Sequence, residues 1–297
     1  MMRRFRTYHE LPHETDSGIL EQVLVQRARL ERRLEGVRTV AAVVSGKGGV
    51  GKSALTANLA AALALRGARV GALDADLNGP SLGRMLAAAR TPLAEDEYGV
   101  RPATGAFGVR VMSMDLILAA DAPLRWKGPT ADSFIWRGSA ETGALREFLS
   151  DVAWGNLEWL LIDLPPGTDR IERLLDLIPR PDIVLLIATP SEIARFVVGK
   201  SARLLRESGV PRVAIVANMT AYVDDLGVTH QLFSAGSVDL LAEETGLPVW
   251  GRIPFEPALA TLTDAGKPIV SVHPETLASR AISALADRLE HAATESP

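Results

Sequence analysis

Cysteine is absent from all 297 residues. Its absence excludes disulfides, a thiolate nucleophile, and any zinc or iron-sulfur centre held by this chain's own sulfur. Long apolar runs are missing too. Arg, Lys, Asp or Glu interrupts every stretch before it reaches the ~18 residues that a membrane-spanning helix needs, so no membrane partner is expected. Nor is there a surplus of positive charge: 32 Lys and Arg against 36 Asp and Glu leave a net charge of -4. No global field draws in the phosphates of a nucleic acid, and none is expected as a partner. Met1-Met2-Arg3-Arg4-Phe5-Arg6 has the charge of a secretion signal, but His9, Glu10, Pro12 and His13 stand where its apolar segment belongs. A cytoplasmic location is therefore expected. His9-Glu10-Leu11-Pro12-His13 spells a zinc-protease motif, yet that motif needs both histidines on one helical face, and Pro12 inside a helix costs about 3 kcal/mol. We read it as accidental.

What is present can fold. Hydrophobic residues make up 47% of the chain and charged ones 23%, enough apolar surface for a substantial core. Residues 1–36 mix arginines with acids, and Ile19 to Leu34 has the spacing of a charged amphipathic helix. We take 1–36 as an N-terminal helical arm and 37–297 as the main domain. From there on, apolar β-rich runs alternate with helical patterns: Thr39–Val44, Val70–Leu73, Val109–Met112, Trp159–Ile162, Ile183–Ile187, Val213–Val216 and Pro248–Trp250. Parallel neighbours need long return connections, so this alternation predicts an α/β fold: a doubly wound, mainly parallel sheet with helices on both faces. The proline- and glycine-rich stretch Thr91–Gly138 fits excursions around a single strand.

Gly46-Lys47-Gly48-Gly49-Val50-Gly51-Lys52-Ser53 matches G-x-x-x-x-G-K-[ST], follows the strand Thr39–Val44 and opens the helical pattern Ala54–Leu65. Such a loop curls its backbone N–H groups around phosphate oxygens, and the helix N-terminus adds a favourable dipole. Lys52 should neutralise the β and γ phosphates of ATP, and the Ser53 hydroxyl should bind Mg²⁺. Two acidic loops, Asp74-Ala75-Asp76-Leu77-Asn78-Gly79-Pro80-Ser81 and Asp163-Leu164-Pro165-Pro166-Gly167-Thr168, begin where apolar strands end. In open α/β sheets ligands sit beyond the carboxyl ends of strands, so these acids should converge on the phosphate loop. Asp163 is then the acid that holds Mg²⁺ through water, and Asp76 the carboxylate that aligns the attacking water. Asp74 supports the metal or the loop conformation, and Gly167 lets its loop respond to the γ-phosphate.

Lys47, just after the first glycine of the motif, resembles the deviant Walker A class that includes MinD, ParA and the nitrogenase iron protein. In that class this lysine contacts phosphate across a dimer interface, which implies an ATP-bridged homodimer. Further segments are similar to the Mrp/ApbC-type iron-sulfur cluster carrier ATPases: Asn78-Gly79-Pro80-Ser81, Val111-Met112-Ser113-Met114, Trp136-Arg137-Gly138, Asp163 through Thr168, Asn218-Met219-Thr220, Gly251-Arg252-Ile253-Pro254 and Asp264-Ala265-Gly266-Lys267-Pro268. The resemblance covers nearly everything after residue 37. It implies a MinD-like fold, ATP hydrolysis, a protein client of unknown identity, and an adenine contact at Asn218. It also implies a Cys-x-x-Cys pair after the Asn-Met segment, but Asp224-Asp225-Leu226-Gly227 stands there instead. Asp224 and Gly227 supply no soft thiolate, so an iron-sulfur cluster is not expected as a cofactor of this chain. Doubled across a twofold axis, Asp224 and Asp225 could instead hold a hard cation. Ala54 replaces the family's usual Thr but keeps its backbone N–H for phosphate. Ser139 and Asp169 replace its usual Pro and Gly. The function expected is an ATPase in metallocluster or metalloprotein assembly. A MinD- or ParA-like positioning or regulatory switch is the alternative.

Overall fold

The computed structural model describes residues 30–89, 93–97, 99–117, 145–168, 181–224, 226–233 and 237–295, with 28, 143 and 171 besides. The motif-like His9–His13 stretch, most of the N-terminal arm, Trp136-Arg137-Gly138, Ser139, Asp169 and Asp225 lie outside the described residues. Strands β1 (Val37–Ser45) and β2 (Val70–Asp74) flank the motif helix Lys52–Leu65 in the chain. The expected excursions follow as a small hairpin, β3 (Glu95–Asp96) with β4 (Gly99–Val100), then β5 (Ala103–Thr104) and β6 (Arg110–Met112). The remaining strands are β7 (Leu157–Asp163), β8 (Ile183–Ala188), β9 (Arg212–Val223), β10 (Thr229–His230) and β11 (Val249–Phe255).

Nine strands form one sheet in the order β10-β9-β8-β1-β7-β2-β6-β5, with β11 also pairing to β9. All pairings among β11, β9, β8, β1, β7, β2 and β6 are parallel, as the strand–helix alternation predicts. Among the described strands of this sheet, only the two-residue β5 and β10 run antiparallel, where a short connection suffices and no crossover helix is needed. Successive residues of β1 feed opposite sides: Ala41 and Val43 join one buried cluster, while Val40, Ala42 and Val44 join the other. A sheet apolar on both faces must be covered on both, hence the near-continuous hydrophobic runs. Lys52–Leu65 and the C-terminal helix Leu277–Thr294 cover one face; Glu192–Glu207 packs on the other.

The motif helix is alanine-rich and buried through most of its length, so it lies close against both the sheet and Leu277–Thr294. It stops at Gly67, whose φ of 88° only glycine adopts cheaply. There Gly67 N–H donates to Ala64 O at 2.9 Å and Ala68 N–H to Leu63 O at 3.3 Å, the paired closure that satisfies terminal carbonyls.

One local expectation is corrected. β9 does not stop with its apolar run at Val216 but continues to Val223. The sequence breaks its apolar run there because Met219 takes a left-handed φ of 58°, and the register against β11 slips between Ile253 and Phe255. An irregularity within the strand therefore reads as its end. The end of the arm joins the core: Leu30 and Leu34 are buried with Phe148, Leu149 and Trp154. Leu34→Ala should accordingly cost about 2–4 kcal/mol in urea unfolding. A change under about 0.5 kcal/mol, the scale of exposed positions, would show that this turn is not part of the core.

Candidate functional site

β1 lies between β7 and β8, and the chain leaves it for strands on one side before returning to build the other. Strand order therefore reverses at the carboxyl end of β1, where the flanking loops part and leave a crevice. The loop 46–51 fills this crevice. Gly49 and Gly51 take φ of 78° and 81°. A Cβ on Gly51 would stand 2.5 Å from Asn218 Nδ2, so a side chain there collides as well as strains. Ser45 Oγ donates to Lys47 O at 3.0 Å, Gly167 N–H to Ser45 O at 3.0 Å, and Asn218 Nδ2 to Val50 O at 2.8 Å. The second acidic loop and the strand β9 thus both brace the glycine loop. Lys47 is partly exposed on it, as are Gly46, Ser53 and Ala54, while Gly48 and Gly49 are open to solvent. The helix starts at Lys52 with no side-chain cap, so no capping oxygen occupies its first N–H groups.

Asp163, at the end of β7, is fully buried and takes three donors from the first turn of that helix. Lys52 Nζ lies 2.6 Å from Oδ1, Ser53 Oγ donates to Oδ2 at 2.5 Å, and Thr56 Oγ1 donates to Oδ1 at 3.0 Å. Lys52 and Asp163 are buried together, each the other's counter-charge. The neighbouring hydroxyl and carboxylate oxygens of Ser53 and Asp163 are the hard donors that suit a magnesium ion.

Asp74 ends β2, in register with Asp163 on β7. Its carboxylate accepts four hydrogen bonds: from the N–H of Asp76 at 3.0 Å, Ser81 at 2.8 Å and Leu82 at 2.9 Å, and from Ser113 Oγ at 3.0 Å. This fastens the 74–82 loop at both ends. Burial first, then the negative charge of Asp163, push the Asp74 carboxyl up to about 7 against the pull of those three backbone N–H groups. Asp76 is less buried and turns towards its own loop, where Oδ1 accepts from Gly79 N–H at 3.2 Å. Among the described residues no hydrogen bond joins it to Lys52, Ser53 or Asp163. The crevice thus brings together Lys52, Ser53, Asp163 and Asn218 on the loop, with Asp74 one strand away.

Asp224, Leu226 and Gly227 lie in the connection between β9 and β10. Gly227 takes φ of 79° and donates to Asp224 O at 2.9 Å. Asp224 Oδ1 accepts from Leu226 and Val228 N–H, each at 2.9 Å, and Oδ2 lies 2.8 Å from His230 Nε2. The His230 hydrogen bond, followed by that of Val228, holds the Asp224 carboxyl below its usual value. Asp224 therefore serves its own turn, and among the described residues no group of three potential ligands gathers around a metal position.

With this geometry in view, comparison with known proteins is decisive. A model of the ParA-type NUBPL iron-transfer P-loop NTPases matches residues 36–290. The chain belongs to this iron-transfer P-loop NTPase family. An iron-sulfur cluster carrier protein of Saccharolobus solfataricus is 34% identical over 91% of this chain and 88% of its own length. One of Deinococcus radiodurans is 38% identical over 89% and 72%. Among solved structures, a nucleotide-binding protein of Archaeoglobus fulgidus in complex with ADP superposes with a TM-score of 0.68 at 32% identity, covering 81% of this chain and 91% of that one. The cell-division ATPase MinD of Pyrococcus furiosus shares the fold, with a TM-score of 0.60 at 24% identity over 85% and 98%.

For this iron-transfer P-loop NTPase two participants escaped the sequence reading. Thr56 lies one turn beyond Lys52 and so faces the same way; its Oγ1 also contacts Lys52 O at 3.0 Å. The helical period after the motif was the available signal. Ser113, just past β6, carried none, because only the β2–β6 pairing brings it to Asp74. Asp74 also dictates a pH response. Its native pKa of about 7 exceeds the ordinary carboxyl value of 3.8, so the folded state holds the extra proton between those values. Stability from this group is full below about 4 and is lost as pH rises towards 7. Urea melts of protein freed of nucleotide and magnesium should show a larger loss from pH 5 to pH 8 in the wild type than in Asp74→Asn. Equal losses would contradict the raised pKa.

Proposed function

We propose that this chain binds Mg-ATP on the Ser45–Ser53 loop, hydrolyses it as an ATP-bridged homodimer, and serves the assembly of a metallocluster or metalloprotein client without a cysteine-ligated cluster of its own. The observation that carries this reading is the buried convergence of Lys52, Ser53 and Thr56 on Asp163 at the end of the glycine loop. The names of the curated relatives and the ADP of the Archaeoglobus neighbour support it.

The N–H groups of Gly46 through Ala54 cradle the phosphates, and Lys52 exchanges Asp163 for the β and γ oxygens. Magnesium, when held by Ser53 and through water by Asp163, supplies neutralisation of the phosphate charge. Asp74 keeps the 74–82 loop in shape, which sets the position of Asp76. The Asp76 carboxylate leaves Gly79 and orients a water in line with the γ-phosphate. Lys47 reaches the phosphates bound by the partner subunit, and Asn218, already seated against Val50, contacts the base. Gly167, bonded to Ser45 O and at φ of 119°, couples the second acidic loop to the phosphate loop.

Lys52→Ala should abolish ATP uptake in calorimetry while circular dichroism reports a folded chain. Asp76→Ala should keep ATP binding, slow phosphate release by about a hundredfold, and accumulate as a dimer with ATP in size-exclusion chromatography. Unchanged turnover in Asp76→Ala removes that residue from the reaction. ATP uptake by Lys52→Ala at wild-type affinity overturns the assignment of the site.

A further inference from the structure

The other end of the sheet holds a second concentration of positive charge. A cavity of about 540 Å³ is lined by Arg32, Arg33, Arg101 and Arg110, with Trp154 and the backbone of Gly36 and Gly155 among its walls. Gly36 precedes β1, Arg110 opens β6, and Gly155 precedes β7, so the cavity sits at the amino ends of these strands. The glycine loop lies at their carboxyl ends, about 25 Å away along β1. The two sites are separate.

Guanidinium groups seldom gather without carboxylates to neutralise them. Here Arg32 Nε donates to Ala28 O at 3.3 Å, Arg33 Nε to Ser150 O at 3.0 Å, and Arg110 to Trp154 O. All three partners are uncharged backbone carbonyls, and among the described residues none of these arginines pairs with an acid. Each carbonyl bond engages one guanidinium nitrogen and orients the fork without cancelling its charge. The glycines permit the arrangement. A Cβ on Gly155, whose φ is 63°, would stand 2.6 Å from the Arg110 guanidinium, and one on Gly36 would meet Gly155 O at 2.9 Å. Trp154, 1% exposed, contributes to the wall and offers its backbone oxygen to Arg110.

We propose that this cavity is a binding site for a small phosphorylated molecule carrying at least two negative charges. Planar guanidinium forks match phosphate oxygens two at a time, and an anion bridging Arg32, Arg33 and Arg110 meets three charges that no acid among the described residues pairs with. The volume lies within the roughly 300–1,000 Å³ of small-molecule sites, larger than phosphate alone and sufficient for an organic body attached to it. Its walls come from the end of the N-terminal arm, the β4–β6 excursion and the turn before β7, so a bound ligand ties these three segments together.

Pyrophosphate is the probe, and calorimetry on the Lys52→Ala chain keeps the glycine loop from being mistaken for the cavity. One equivalent should bind, with affinity falling as salt rises. Adding Arg32→Gln and Arg33→Gln together should weaken it by about tenfold or more at unchanged thermal midpoint. Arg32→Gln alone, which touches only Ala28 O on its own turn, should give a smaller loss and guards against misfolding of the double variant. Citrate, equally charged but without a phosphoryl group, should bind about fivefold more weakly. No uptake at low salt, uptake indifferent to both arginine variants, or citrate binding as tightly as pyrophosphate overturns the proposal. These outcomes are independent of whether the intact glycine loop binds or hydrolyses ATP.

Discussion

A carboxylate that is fully removed from water can stay charged only if its surroundings replace the lost hydration, and Asp163 is placed under that demand at the carboxyl end of β7. The replacement comes from one helical turn, which supplies an ammonium and two hydroxyls to its two oxygens. Because Lys52, Ser53 and Thr56 belong to the helix that the glycine loop feeds, satisfying Asp163 fixes the loop against the strand beside it. Removing one member of such a buried pair leaves an uncompensated charge, typically worth about 3–5 kcal/mol. Under the proposed function, the contacts that hold the loop are the ones that a phosphate group would compete with. Function and stability draw on one set of atoms.

Around that centre the neighbouring loops are coupled by short backbone bonds. Ala75 N–H donates to Asp163 O at 2.9 Å, Leu164 N–H to Val43 O at 3.0 Å, and Gly167 N–H to Ser45 O at 3.0 Å. Asp74 closes the circuit by gathering the start and end of the first acidic loop along with Ser113. Each acidic loop is thus attached to the ends of two adjacent strands, so a change at the phosphate loop has mechanical routes into both. The β9–β10 turn lies outside this circuit. Asp224 and Gly227 hold it by local bonds, with His230 2.8 Å from the Asp224 carboxylate.

Much of this was legible in the chain itself. The spacing Gly46 to Ser53 between an apolar strand and an alanine-rich helix announces the glycine loop of a P-loop family member, since only glycine takes the left-handed backbone at 49 and 51 cheaply. The positions of Asp74 and Asp163 after buried runs place them on one rim, because parallel strands all end on the same side. β9 was cut short in the reading, since a single left-handed residue, Met219, imitates a strand end. Thr56 was recoverable from helical period alone, but Ser113 was not.

The sequence by itself determined the alternation of strand and helix, the glycine loop and the acids on its rim, since these depend on local spacing and on burial along the chain. Only the tertiary structure decided which strand lies beside which, and so which side chains meet across the sheet. Ser113 reaches Asp74, and Asn218 reaches Val50, through pairings between segments tens to more than a hundred residues apart. The arginine cavity assembles from residues 32–36, 101–110 and 153–156 in the same way. No local pattern encodes such contacts, because packing selects them from the whole chain at once.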